Sequence, residues 1–77
     1  MSLDALVSEI LQKVKSGEFV GYSDVQIANA KNYDAFAVLD AFGVIRKKGL
    51  AAFREVGVGD LEIMGLTEKG ENFLDNR

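Results

Sequence analysis

The 77-residue chain contains no cysteine and no histidine. Without cysteine it has neither a disulfide framework nor a thiolate metal site, which fits a reducing compartment. Without either residue the commonest general base and the thiolate nucleophile are both missing. Ser8, Ser16 and Ser23 therefore have no base to activate them. No apolar run approaches the roughly 20 residues that span a bilayer. The start of the chain does not follow the basic, apolar, small-residue order of a signal peptide, so a cytoplasmic protein is expected. Cations are scarce: 9 lysines and arginines face 12 acids, for a net charge of −3. That acidity is only weak evidence against nucleic acid, because a binder needs no more than a local basic patch.

Other catalytic and ligand patterns are equally thin. Gly57-Val58-Gly59 lacks a third glycine and does not open a helix after a strand, so it is not a phosphate cradle. Glu68, Glu71 and Asp75 recur at helical spacing, which is ordinarily a solvated face and not a hard-metal site. The expectation is a protein that is not an enzyme, with no cofactor, no metal and no membrane.

What is present is a globular composition. Hydrophobic residues make up 48% of the chain and charged residues 27%, which argues against disorder. The length suits one small domain over residues 1–77, with a core small enough to be marginal, so that tight packing or a partner helps it. Charge is unevenly spread. Residues 1–30 and 51–77 are net acidic, and the positive block lies in 31–50, crowded at Arg46, Lys47 and Lys48.

Leu3, Leu6, Val7, Ile10, Leu11 and Val14 recur in steps of three and four, one stripe of a first helix capped by Ser2 and stopped by Gly17. Glu18 to Gly21 is long enough only for an edge strand. Ser23-Asp24-Val25-Gln26 is a capping box opening a short second helix, with Val25, Ile27, Ala28 and Ala30 as its apolar residues. Asn32 suits the left-handed turn that follows. Asp34 caps a third helix that Gly49 ends, with Val38, Leu39, Phe42 and Ile45 facing inward and Tyr33 as an anchor ahead of it. Ala35, Ala37, Asp40, Ala41, Val44 and Lys48 are expected on its other faces. Leu50–Val56 and Leu61–Leu66 read as a hairpin around a glycine-rich link. Thr67 caps a last helix whose Phe73 and Leu74 point inward. Gly70 within that helix implies close packing against the hairpin. These elements predict an α+β fold.

Three segments extend that expectation. Ile27-Ala28 lies shortly before the turn at Tyr33. Val38, Phe42, Ile45 and Gly49-Leu50 form a helix that ends in glycine and leads into a strand. Leu66-Thr67-Glu68-Lys69-Gly70 matches an L-T-x-x-G exit from a second wing strand. In this order they resemble the winged-helix regulators of the MarR and PadR types, over residues 22 to 74. The resemblance implies a winged helix-turn-helix: a three-helix core, a C-terminal β-hairpin wing and a short C-terminal helix. It also implies a cytoplasmic, dimeric transcription regulator whose third helix lies in DNA.

Two functions follow. The first is duplex DNA binding, with Lys31, Arg46, Lys47, Lys48 and Arg54 as candidate phosphate contacts and Asn32 and Tyr33 as turn contacts. The positions that read bases in such families correspond here to Ala35, Phe36, Ala37, Asp40 and Ala41. None carries the bidentate donor that base reading favours. Asp40 would repel phosphate, and the wing tip from Val56 to Asp60 has no cation. The second function is therefore a protein-interaction module or homodimer without nucleic acid, using Phe36, Ala37, Ala41 and Val44.

Overall fold

The computed structural model describes residues 1–76. It is a small α+β fold with four helices and a three-stranded antiparallel sheet among the described residues. Helix α1 spans Leu3–Lys15, strand β1 Tyr22–Ser23, α2 Asp24–Lys31, α3 Ala35–Lys48, β2 Ala51–Val56, β3 Asp60–Leu66 and α4 Glu68–Asp75.

Local chemistry accounts for the helix boundaries. The Ala5 N–H donates to Ser2 Oγ at 3.1 Å, closing the start of α1. Asp4 lies at the positive end of that helix and Lys13 and Lys15 at the negative end. Ser23 and Gln26 form a reciprocal capping box: the Gln26 N–H donates to Ser23 Oγ at 3.2 Å and the Ser23 N–H to Gln26 Oε1 at 2.9 Å. Asn32 ends α2 at φ 56°, the left-handed region that asparagine tolerates. Asp34 opens α3 by accepting from the Phe36 N–H at 3.0 Å. Gly49, at φ 68°, ends it. There the Gly49 and Leu50 N–H groups donate to the carbonyls of Arg46 and Ile45.

Strand β3 is central, with β1 and β2 on either side. Val56 pairs with Asp60, leaving Gly57-Val58-Gly59 as a three-residue tip, and the ladder slips between Ala51 and Phe53. The edge strand expected at residues 18–21 instead falls at Tyr22–Ser23, opposite Ile63 and Glu62. The preceding turn sends Phe19 into the core, where it is fully buried. Its ring centroid lies 5.4 Å from that of Tyr22.

The buried side chains form one cluster drawn from α1, α2, α3 and the sheet, with Ile10, Leu11, Phe19, Ile27, Val38, Ile45 and Ile63 sealed from water. Val38, Phe42 and Ile45 face inward as expected. Leu39 does not: it is 53% exposed. Ala41, expected on an outer face, is 0% exposed. At about 100° per residue, Val38, Ala41, Phe42 and Ile45 span one arc, and Leu39 falls outside it. Alanine's small size had disguised a core position as a surface one. Leu3, Val25 and Ala30 also lie outside the core.

Helix α4 docks where α3 meets β2. Thr67 accepts from the Gly70 N–H at 3.1 Å, donates its hydroxyl to the Gly49 carbonyl at 2.6 Å and donates its N–H to the Leu50 carbonyl at 3.1 Å. Gly70 is pressed so closely on this junction that a Cβ there would lie 1.8 Å from the Leu50 carbonyl oxygen. Phe73 and Leu74 pack half-buried against the core.

Candidate functional site

The outer surface of α3 follows from its inner one. With Val38, Ala41, Phe42 and Ile45 committed to the core, the opposite line of the helix carries Phe36, Asp40, Gly43 and Lys47, spaced by four, three and four residues. All four are exposed, Phe36 at 77%. Gly43 lies open, with nothing within 4 Å of where a Cβ would sit.

On one flank of this line, Leu39 and Arg46 turn toward a groove shared with α2 and the hairpin. Val25, Leu39, Phe42, Gly43 and Leu61 give it an apolar floor. Asp24, Asp60 and Arg46 are the charged residues that line it. A second depression shares Asp24, Val25 and Asp60 with it and is also lined by Val56 and Glu62. On the other flank, Ala37 and Val44 are half-buried and packed against the core. The interaction face expected at Phe36, Ala37, Ala41 and Val44 is thus corrected: Ala41 lies inside, Ala37 and Val44 border the core, and Phe36 alone is fully presented. The apolar surface that accompanies Phe36 is Leu39 and Val25, 53% and 55% exposed.

The candidate phosphate contacts are scattered and mostly engaged. Lys31 Nζ lies 2.7 Å from a Glu18 carboxylate oxygen, with Lys13 at 3.7 Å from the other. The hydrogen bond from Lys31 holds the Glu18 carboxyl below its ordinary 4.5, and the same bond raises the Lys31 ammonium above its ordinary 10.5. Arg54 pairs at 2.5 Å with Glu62, the residue directly opposite it across the ladder. The Tyr33 hydroxyl donates to the Glu9 carboxylate of α1. Asn32 serves as the left-handed cap of α2, with its side chain exposed. The Arg46 guanidinium carbon stands 6.0 Å from the centroid of the Phe53 ring, in cation–π range. No ion pair among the described residues engages Lys47 or Lys48.

Nor does the basic run at the end of α3 act as one patch. Arg46 and Lys48 are about 200° apart around the helix. Arg46 borders the groove beside the hairpin. Lys48 borders a depression on the opposite side, with Asp4, Ser8, Glu9 and Phe73. Basic residues adjacent in sequence therefore address different surfaces. The groove residues Val25, Leu39 and Leu61 were not among the site residues expected from sequence. The signal for Leu39 was its angle outside the buried arc, while Leu61 reaches the site only through hairpin closure.

Among the described residues no group of three or more aspartates and glutamates is placed to hold a metal ion, and no helix is long and apolar enough to cross a membrane. No protein-family model matches the chain, nor does any curated protein or solved structure.

Proposed function

We propose that the chain is a non-catalytic winged-helix module that binds protein through the outer face of α3, and not duplex DNA. The order of helix, short strand, two helices, hairpin and final helix supports the winged-helix reading. So does the short β1 lying against the hairpin's central strand. In such an arrangement α3 and the hairpin present the working surface. That surface here carries Phe36 and Leu39 in water, and it sets Asp24, Asp40 and Asp60 against two cations, Arg46 and Lys47. This last observation carries the reading: aromatic and aliphatic groups on a face with no net positive charge suit an apolar protein surface, and carboxylates repel a polyanion.

The experiment is fluorescence anisotropy with mixed-sequence duplexes at low salt. The expected result is no saturable binding. Binding that falls steeply between low and moderate salt would overturn the protein-docking reading. A second reading, DNA binding by a regulator-like dimer, is favoured by the resemblance and by Lys47 and Lys48, which no ion pair among the described residues engages. On that reading Lys47→Ala with Lys48→Ala would weaken binding uniformly across sequences and reduce its salt slope.

A further inference from the structure

The outward line of α3 has an order of its own. Phe36 leads it, an acid follows at Asp40, a residue without a side chain sits at Gly43, and a cation closes it at Lys47. Reversed end for end, this order complements itself. Two such helices laid antiparallel, with the twofold axis between Ala41 and Phe42, place Phe36 of each copy against the Lys47 stem of the other. They also place Asp40 of each against Gly43 of the other. Lys47 of the second copy then lies one helical turn, about 6 Å along the axis, from Asp40 of the first, within reach of a lysine side chain. The contact occurs twice by symmetry. A parallel pairing would instead stack Asp40 on Asp40 and Lys47 on Lys47, which like charges oppose.

We propose that this chain self-associates through α3 as an antiparallel twofold dimer, with Phe36 buried over Lys47 and Asp40 paired with Lys47 across the axis. The inference rests on the protein-docking reading above and names the partner as a second copy. Three features of the structure carry it. Phe36 is 77% exposed in the monomer, with Leu39 beside it at 53%. Gly43 leaves open space at the middle of the contact, where two backbones approach. Asp40 and Lys47 have no ion pair within their own chain among the described residues, so both remain available to the other copy. A buried phenylalanine removes on the order of 150–250 Å² from water. Two of them, joined by Leu39 and Val25 at the rim, bury on the order of several hundred Å², short of the roughly 1,200 Å² of stable specific interfaces, so the dimer is weak and forms toward millimolar concentration.

Sedimentation equilibrium of the full chain, from low micromolar to millimolar concentration, tests this. The expected result is a monomer–dimer equilibrium at low salt. Phe36→Asp should leave a folded monomer, because the substituted side chain lies in water in the single chain. Asp40→Lys and Lys47→Asp should each weaken the dimer about tenfold by placing like charges together. The two combined in one chain should recover association relative to either single variant, short of what the Lys47 stem contributes over Phe36. A wild-type monomer at millimolar concentration, a dimer indifferent to Phe36→Asp, or a double charge reversal that fails to recover association would overturn the dimer. Those results leave the docking reading standing if duplex DNA still does not bind. Salt-sensitive duplex binding would instead remove the reading beneath it.

Discussion

Two glycines, both inside helices, should respond to the same substitution with opposite signs. Gly43→Ala places a methyl group on the exposed face of α3 with nothing within 4 Å. Alanine is favoured over glycine in a helix interior by about 1 kcal/mol, so this variant should be stabilised by close to that amount. For a domain of this size that is a rise in Tm of roughly 4–8 °C. Gly70→Ala places the same methyl group 1.8 Å from the Leu50 carbonyl oxygen and 2.9 Å from its carbon. Both are backbone atoms, and neither can rotate away. Helix α4 has to retreat until the gap reaches at least 3.0 Å. That retreat strains the Thr67 N–H bond to Leu50 and the Thr67 hydroxyl bond to Gly49. It also loosens Phe73 and Leu74 from the core. Overpacking of this kind costs about 1–3 kcal/mol, and each hydrogen bond lost about 1 kcal/mol. After the helical preference for alanine is subtracted, the net loss should be about 2–4 kcal/mol, a Tm lowered by roughly 8 °C or more. Urea denaturation at low micromolar protein, followed by far-UV circular dichroism, measures both variants. A Gly70→Ala protein as stable as the parent would refute the close approach of α4 to Leu50, and with it the account of how the last helix is held.

Three further outcomes are expected. Leu39→Ala should change stability by less than about 0.5 kcal/mol, whereas Phe42→Ala should cost about 3–5 kcal/mol, a contrast read from the same denaturation curves. Tyr33→Phe removes the hydroxyl that donates to Glu9 and should cost about 1.5 kcal/mol, since the acceptor is charged and half-buried; a neutral effect would dissolve that bond between α1 and the α2–α3 turn. The Glu18 carboxyl should titrate below 4.5 by carbon-detected NMR and move back toward 4.5 in Lys31→Gln. Because its folded value is depressed, the pair's contribution is fully present above 4.5 and disappears as pH falls below it. The groups are exposed, so only a small stability change should accompany the titration.

Much of this fold is readable from local chemistry. Ser2, Ser23, Asp34 and Thr67 begin helices, and Asn32 and Gly49 end them, because each satisfies backbone groups within a few residues of itself. Gly70 signalled a close approach for a similarly plain reason: a helix keeps a glycine there at a loss of propensity. Leu39 and Ala41 lie opposite to expectation because hydrophobicity alone does not give a side chain's angle around the helix. A large aliphatic side chain looked buried and a small one looked peripheral, although the arc through Val38, Phe42 and Ile45 already separated them. Phe19 lies in the segment expected as an edge strand but fills the core, since a single apolar residue in a turn has no periodicity to reveal its direction. The cations were the least legible. Their number is a property of the sequence, but the partners of Lys31 and Arg54 come from the turn after α1 and from the neighbouring strand, and only the folded chain brings those groups together.

The hairpin tip has a practical consequence. Val58 stands wholly in water, 102% exposed between two glycines with positive φ, so nothing in the fold depends on its side chain. In a chain without any native thiol, a cysteine introduced at that position would be a unique handle for a fluorophore or spin label. Its place two residues from Asp60 sets such a probe near the rim of the groove beside α3, where it would report on whatever arrives there without altering the surface that receives it.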